Sequence, residues 1–214
     1  MVIIGASGLG REVLGYALDV PPRDRDWVVA GFLDADPSAL DGFDIDYPIL
    51  GNPSTYQPGK DDRFVCAIGD PGTRLKLCRE MKNRGGRFAT IFHPSIVLGL
   101  NNRVGEGCIF SARSGLSANV SIGNHVILNG HAGVGHDAVI GDGVTISSFC
   151  DVTGNAVLGE GVFLGSHAVI LPGVKVGDFA RIGAGSVVVR NVPPGASMFG
   201  NPAKQVAGFD PEGP

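Results

Sequence analysis

A six-residue repeat constrains this chain more than any other feature of its sequence. From Val104 to Val188, every sixth residue is Val, Leu, Ile or Phe, and the residue four places after each one is Ala, Val, Ser or Cys. The phase holds through fifteen consecutive hexads. This period is typical of a parallel β-helix, in which each short strand buries its apolar side by stacking on the next coil.

Three hexads make one coil of such a helix, so equivalent residues should recur every eighteen positions. Glycine does recur in this way, at Gly105, Gly123, Gly141, Gly159 and Gly177. The repeat therefore predicts about five coils without an interrupting loop. The 34 glycines are assigned to these repeated turns, because the sequence has neither a Gly-X-Y period nor a low-complexity tract.

The residues before the repeat alternate between strand and helix patterns. Short apolar segments predict strands over 2–4, 27–33 and 64–69, and apolar spacing predicts helices over 11–18 and 73–82. Strand, helix and strand in this order predict a small parallel sheet. The expected fold is an α/β, Rossmann-like N-terminal half (residues 1–92), a parallel β-helix (residues 93–193) and a short C-terminal tail (residues 194–214).

Composition and charge disfavour several classes of protein. The net charge of -4 offers no general attraction to nucleic acid or to an anionic membrane. No apolar run reaches the ~18 residues of a membrane helix, and the apolar start is too short for the core of a secretory signal. The four cysteines have no CxxC spacing, which indicates reduced thiols in a cytoplasmic protein without a sulfur-bound metal.

One ionisable pair, His136 and Asp137, interrupts the apolar repeat. Residues eighteen apart stack at the strand spacing of ~4.8 Å, so His136 should lie between Ala118 and Gly154. That turn does not need a large titratable side chain, which favours a functional role for His136. Asp137 stacks between asparagines, residues that tolerate left-handed turns, so turn geometry is the alternative explanation for Asp137.

This pair suits proton transfer. An imidazole can remove a proton from an attacking nucleophile near neutral pH, which makes His136 a candidate general base. Asp137 would fix the tautomer of His136 if its carboxylate reached Nδ1. The backbone N–H of Gly154, uncovered by any side chain, is the candidate donor to a developing oxyanion. The other histidines of the repeat, His125, His131 and His167, are expected to be solvated turn or packing residues.

Five segments in a fixed order resemble the NeuD/PglD family of sugar O- and N-acetyltransferases, whose β-helix is left-handed. They are GASGLGRE from Gly5, the acidic pair Asp34 and Asp36, FHPS from Phe92, GHDAVIG from Gly135 and GNPAK from Gly200. The resemblance covers almost the whole chain. It implies transfer of acetyl from acetyl-CoA to the 4-amino group of a nucleotide-linked 4-amino-4,6-dideoxyhexose, with the histidine at 136 as base.

The resemblance also implies a homotrimer with active sites between subunits. No metal is expected, since the cysteine and histidine spacings do not favour one. The resemblance places acetyl-CoA in the groove between neighbouring β-helices, where the candidate contacts are Gly165, Ser166, Gly183, Ala184 and Lys204. In one respect the chain departs from the family, because many members carry a second histidine where this sequence has Thr145.

The turn between the first strand and the first helix offers backbone N–H groups to a pyrophosphate. Its glycine spacing is not the dinucleotide G-x-G-x-x-G pattern, and the N-terminal half is too short for two mononucleotide-binding units, so NAD is disfavoured. A nucleotide-diphosphate sugar is the expected ligand. The substrate-binding candidates are Gly5, Ser7, Gly8 and Gly10 in the turn, and Asp34 and Asp36 after the second strand.

Three other functions stay open. The first is O-acetylation of a sialic acid or a related glycan precursor. The second is a metal enzyme similar to γ-class carbonic anhydrases, suggested by the spacing of His131 and His136, although Ser95 and Leu100 stand where a third histidine would be needed. The third is a non-catalytic β-helix scaffold, which would show no turnover of acetyl-CoA.

Overall fold

The computed structural model describes residues 1–206. Its N-terminal half contains β1 (Val2–Ile4), α1 (Gly8–Asp19), a 3₁₀ turn (Pro22–Asp24), β2 (Gly31–Leu33), β3 (Ile49–Gly51), β4 (Phe64–Cys66) and α2 (Pro71–Asn83). The four strands form a parallel sheet in the order β3-β2-β1-β4. The predicted small parallel sheet is thus present.

Two strands of this sheet differ from the sequence prediction. β2 begins at Gly31 rather than at Trp27, because pairing with β1 starts only where Gly31 lies opposite Val2. β3 was not predicted at all. Its three residues are only partly buried, so they lack the apolar run that marks the two central strands.

The rest of the described chain coils into a parallel β-helix with three sheets. Sheet 1 contains β5 (Ile91–Phe92), β8 (Ile109–Phe110), β11 (Ile127–Leu128), β14 (Thr145–Ile146), β17 (Phe163–Leu164), β20 (Arg181–Ile182) and β22 (Ser197–Phe199), with β23 (Lys204–Gln205) antiparallel at its end. Sheet 2 contains β6 (Val97–Leu98), β9 (Gly115–Leu116), β12 (Gly133–Val134), β15 (Asp151–Val152), β18 (Val169–Ile170) and β21 (Val187–Val188). Sheet 3 contains β7 (Arg103–Val104), β10 (Ser121–Ile122), β13 (Val139–Ile140), β16 (Val157–Leu158) and β19 (Lys175–Val176).

The prediction of five coils was wrong, because the solenoid is longer. The first strand, β5, pairs with the strand eighteen residues later, and the pattern continues until Arg181 pairs with Ser197, sixteen residues later. Six coils therefore stack between β5 and β22. The first coil keeps the apolar phase at Phe92 and Leu98 but lacks the small residues four places later, since it forms the exposed end of the helix. The predicted boundaries of the two halves and the tail stay a prediction.

The hexad pattern explains the interior of the β-helix. The apolar residue that ends each two-residue strand points inward, and the small residue four places later fills the corner beside it. Leu128 with Ala132 and Val134 with Ala138 are examples, and each of these side chains is at most 3% exposed. Because every coil repeats this pair three times, the core runs the length of the solenoid.

The N-terminal half covers sheet 1. Residues of α1 and of the N-terminal sheet share one core cluster with Ile91, Ile109 and Ile127, which point outward from successive strands of sheet 1. α2 lies against the corner between sheets 3 and 1, where a β-carbon at Gly143 would stand 2.5 Å from the side chain of Leu75. The two halves therefore pack together through apolar side chains on one face of the solenoid.

We call the three edges of the coil the first corner (sheet 1 to sheet 2), the second corner (sheet 2 to sheet 3) and the third corner (sheet 3 to sheet 1). The chain passes through the left-handed region at many of these corners, mostly at Gly, Asn, Asp or His.

All four cysteines are buried free thiols. Within residues 1–206, no helix is both long and apolar enough to cross a membrane.

Candidate functional site

His136 and Asp137 lie side by side at the second corner, directly after β12. Nδ1 of His136 is 2.8 Å from Oδ2 of Asp137, and the side chains are 60% and 46% exposed. With the carboxylate accepting a hydrogen bond from Nδ1–H, the lone pair of the imidazole is at Nε2. The pair therefore presents a base to a reactant approaching the second corner from outside the coil.

The carboxylate of Asp137 has two partners and a special backbone. Hydrogen bonds from His136 and from the Asn119 side chain, whose Nδ2 lies 3.1 Å from Oδ1, hold the pKa of Asp137 below its ordinary value. Asp137 has φ +60°, as expected of a corner residue. Turn geometry and contact with His136 thus coexist in one residue.

Gly154 lies one coil above His136 and leaves room for its ring. A β-carbon at position 154 would stand 2.6 Å from Nε2 and 2.7 Å from Cε1 of His136. Any other residue there would push the imidazole away. Within residues 1–206, the N–H of Gly154 donates no hydrogen bond, although the neighbouring Asn155 N–H binds the carbonyl of His136. A backbone donor without a partner in the described part of the chain therefore lies beside the imidazole of His136.

A second feature is a cleft of about 350 Å³ between the N-terminal half and the β-helix, on sheet 1 and the first corner. α1 and the β4–α2 turn form one wall, and polar residues of the solenoid form the other. Its lining residues include Gly8, Glu12, Gly69, Asn129, Ser147 and Ser166. Of the sequence-predicted site residues, Gly8 and Ser166 meet here.

The glycines of the N-terminal turn divide into two kinds. A β-carbon at Gly10 would stand 2.0 Å from the carbonyl oxygen of Gly5, and one at Gly5 would stand 2.8 Å from Ile68, so these two allow α1 to pack tightly on the sheet. Gly8 has open space around it and faces the cleft. Ser7 is the exposed N-cap residue of α1, and its hydroxyl makes no capping bond. Ser7 and Gly8 thus stay accessible to a ligand.

The two acidic residues after β2 are already engaged by their own chain. Oδ2 of Asp34 accepts the N–H of Ala6 at 2.8 Å, and its Oδ1 accepts the N–H of Asp36 at 3.0 Å. Oδ1 of Asp36 accepts both the N–H and the hydroxyl of Ser38. Asp34 therefore shapes the turn beside Gly5, and Asp36 keeps one exposed carboxylate oxygen free among these contacts.

The residues expected to contact acetyl-CoA lie at the first corner, not at the corner of His136. Gly165 and Ser166 follow β17, and Gly183 and Ala184 follow β20, in the same column. A β-carbon at Gly183 would stand 2.1 Å from the ring of Phe199 on β22, so the missing side chain of Gly183 leaves room for this ring. Within one chain, the structure does not bring these four residues together with His136.

Lys204 lines a cavity of about 430 Å³ at the C-terminal end of the solenoid, together with Arg190. Arg190 stands at the second corner, three coils after His136, in the column that passes through Gly154 and Pro172. Two basic side chains thus border the C-terminal end of the column that contains His136.

The remaining histidines of the repeat have packing contacts. His131, Phe149 and His167 stack on one another at the first corner, with ring centroids 4.7 and 5.0 Å apart. His125 is buried at the third corner, edge-on to Phe88. His131 and His136 occupy different corners, which does not fit a shared metal. Among residues 1–206, no three His, Cys, Asp or Glu side chains are placed to hold a metal ion.

Sequence reasoning missed Arg74 and the role of Thr145. Arg74 is buried on α2, on the same stripe as Pro71, Cys78 and Met81. Thr145 Oγ1 accepts a hydrogen bond from Arg74 and donates one to the carbonyl of Gly69. The signal that could have identified Arg74 is its position as a charged residue on the otherwise apolar stripe of α2.

Comparisons with known proteins agree with this architecture. Residues 1–81 match the family described as "PglD N-terminal domain", and residues 155–190 match "Bacterial transferase hexapeptide (six repeats)". No curated protein matches the sequence. Among solved structures, PerB from Caulobacter crescentus in complex with CoA and GDP-perosamine is 32% identical, with a TM-score of 0.87 over 96% of each chain.

Two further solved structures align over 96% of this chain and 98% of their own. WeeI from Acinetobacter baumannii AYE is 28% identical with a TM-score of 0.84. The acetyltransferase domain of PglB from Neisseria gonorrhoeae FA1090, in complex with acetyl coenzyme A, is 26% identical with a TM-score of 0.83. The chain therefore belongs to the NeuD/PglD family of hexapeptide-repeat sugar acetyltransferases, and it is an acyltransferase.

Proposed function

We propose that this enzyme transfers the acetyl group of acetyl-CoA to the 4-amino group of a nucleotide-linked 4-amino-4,6-dideoxyhexose. The observation that carries the proposal is the His136–Asp137 pair, with Nδ1 engaged, Nε2 available and the backbone of Gly154 beside the ring. The similarity to PerB, which was crystallised with CoA and GDP-perosamine, supports this acceptor class and makes a GDP-linked sugar the first acceptor to test.

His136 acts as the base in this proposal. The neutral amine attacks the thioester carbonyl, and its nitrogen gains positive charge as the C–N bond forms. Nε2 of His136 takes the proton, while Asp137 holds the ring and stabilises the imidazolium that results. The N–H of Gly154 stabilises the oxyanion that develops on the carbonyl oxygen. Collapse of the tetrahedral intermediate then expels the CoA thiolate.

The acceptor occupies the cleft, and acetyl-CoA lies along the solenoid. Ser7, Gly8 and the N-terminus of α1 suit the pyrophosphate of a nucleotide sugar. Asp36 contacts base or ribose, whereas Gly5, Gly10 and Asp34 keep the turn in shape. Ser166 lines the same cleft, so it contacts the acceptor side rather than the pantetheine.

The positions of these sites favour a homotrimer. His136 stands at the second corner, whereas the cleft opens on sheet 1 and the first corner. One chain cannot place its own base at its own cleft without crossing the coil. A neighbouring left-handed β-helix that brings its second corner beside this first corner would complete the site. Gly165, Gly183 and Ala184 would then line the groove between subunits, and Lys204 with Arg190 would face the CoA phosphates.

The test is release of free thiol from acetyl-CoA with GDP-, UDP- and dTDP-linked 4-amino-4,6-dideoxyhexoses and with free sialic acid. We expect activity with a nucleotide sugar and at least ~100-fold less with His136→Asn. His125→Asn, a histidine replacement at another corner, is the control and should keep activity. Turnover with sialic acid alone would indicate an O-acetyltransferase, and equal rates for wild type and His136→Asn would exclude His136 as the base. A cytoplasmic location stays a prediction.

A further inference from the structure

Arg74 is fully buried, and all five of its N–H groups are used. Its partners are the carbonyls of His125 (Nε, 2.9 Å), Ile68 (Nη1, 2.5 Å), Gly69 (Nη1, 3.1 Å) and Gly143 (Nη2, 2.7 Å), and Oγ1 of Thr145 (Nη2, 2.8 Å). Three of these partners belong to the β-helix and two to the turn after β4. The guanidinium therefore joins the two halves of the molecule.

No carboxylate pairs with this charge among the described residues. Burial lowers the pKa of Arg74 from its usual value, which reflects the cost of removing the guanidinium from water. Carbonyl dipoles alone compensate the charge, so the arrangement is costly compared with an apolar contact of the same size. Stability alone does not explain why α2 carries Arg at this position of its apolar stripe.

Thr145 completes the arrangement. Its hydroxyl accepts from Arg74 and donates to the carbonyl of Gly69 at 3.0 Å, and the residue is only 3% exposed. Gly69 thus receives two hydrogen bonds, one from Arg74 and one directly from sheet 1. The side chain of Thr145 faces the N-terminal half, away from the corner that carries His136.

The residues held in this way form a wall of the cleft. Ile68, Gly69 and Asp70 connect the carboxyl end of β4 to α2, and Gly69 lines the cleft with Gly8. Ligands of open parallel sheets bind at this end of the strands. Asp70 makes a second contact between this turn and the solenoid, since its Oδ2 accepts a hydrogen bond from Arg181 of β20 at 2.9 Å. The turn is therefore fixed to the solenoid rather than to the N-terminal sheet alone.

We infer that Arg74 and Thr145 are positioning residues that fix the 68–70 turn as the wall of the acceptor site. This inference rests on the proposed function. It also accounts for the departure at position 145, because the threonine hydroxyl is consumed by the clamp on Gly69 and has no free donor for a thioester. Acceptor binding, rather than the use of acetyl-CoA, should depend on it.

The kinetic test compares Thr145→Val and Arg74→Lys with Lys82→Met. Valine keeps the shape of threonine without its hydrogen bonds, and lysine cannot serve five acceptors. Lys82 also joins α2 to the solenoid, through Glu106, but does not touch the turn, so Lys82→Met is the matched control. We expect the acceptor KM to rise ~10-fold in both clamp variants, with the KM for acetyl-CoA within about twofold of wild type. Equal changes in both KM values would mean a merely structural role and would overturn the inference.

A second measurement does not depend on turnover. Hydrogen exchange of the backbone amides at 68–70 should be faster in Thr145→Val than in wild type and unchanged in Lys82→Met, while exchange in the distant coils stays the same. Unchanged exchange at 68–70 would refute the clamp, whatever the kinetics. If wild type transferred acetyl to no acceptor but the turn still loosened in Thr145→Val, the proposed function would be wrong and the clamp correct.

Discussion

Gly154 fixes where the ring of His136 can lie, because a β-carbon at position 154 would stand 2.6 Å from Nε2. Gly154 is outside the left-handed region, so its missing side chain serves the space above the imidazole and not an unusual backbone. Alanine there should keep the corner and displace the imidazole.

We therefore expect Gly154→Ala to lower kcat by ~100-fold, since a shift of about 1 Å in a reacting group has this effect. Thermal unfolding should change little. Gly133→Ala is the matched control, because Gly133 lies on β12, three residues before His136, and has open space where its β-carbon would be. Steady-state kinetics measure the effect, and wild-type activity in Gly154→Ala would show that the ring tolerates a shift.

Asp137→Asn separates the two roles of the aspartate. Asparagine accepts φ +60° equally well, so the corner stays intact, but it cannot carry the charge that stabilises the imidazolium. We expect kcat to fall ~10-fold with unchanged KM values. Unchanged kcat would mean that Asp137 serves turn geometry alone.

The lowered pKa of Asp137 predicts how the His136–Asp137 contact responds to acid. A carboxyl whose pKa is lowered by folding contributes stability above its unfolded pKa of about 3.9 and loses it as the pH falls through the folded value. NMR titration of the Asp137 carboxyl carbon should show the carboxylate still ionised at pH ~4. Protonation above that pH would contradict the contact.

If active sites are shared between subunits as proposed, two variants inactive for different reasons should complement each other. His136→Ala supplies an intact cleft, and Gly8→Trp, which fills the cleft, supplies an intact base. Each variant alone should be inactive, and random mixing after reversible unfolding should restore about a quarter of wild-type activity, because one interface in four then combines the two intact parts. Assay of the mixture measures the recovery. A mixture as inactive as its components would place the whole site in one chain.

His125 should make the fold sensitive to acid. Burial lowers the pKa of His125, and its Nδ1 is buried without a hydrogen-bond partner among the described residues. A histidine whose pKa is lower when folded leaves the unfolded chain binding more protons, so stability falls as the pH drops below about 6.5. Between pH ~7.5 and ~5.5, Tm should fall about 3 °C further in wild type than in His125→Asn. Parallel curves would exclude this histidine as the cause.

Much of the fold could be predicted because the repeat is local. Leu128 and Ala132 need only their own coil and the neighbouring ones to become buried, so the six-residue phase alone identifies the interior. The first coil was harder to recognise, since Ile96 and Asn102 stand where the later coils have small residues. His136 could also be singled out as a candidate, because its column otherwise holds small residues near it.

The cleft could not be found in this way. The cleft depends on how α1 and the 68–70 turn pack against sheet 1. The hexad repeat gives no information about that packing. The expected contacts of acetyl-CoA illustrate the same limit. The eighteen-residue spacing identifies the column of Gly165 and Gly183, but it does not show what faces that column from outside the chain.

The uninterrupted solenoid also fixes distances along its axis. His136 and Arg190 stand three coils apart in one column, which corresponds to ~14 Å of strand spacing. No loop between them can lengthen or shorten this separation. If acetyl-CoA spans from His136 to Arg190 as proposed, the reach it needs is set in whole coils, and an insertion or deletion would change it in steps of about eighteen residues.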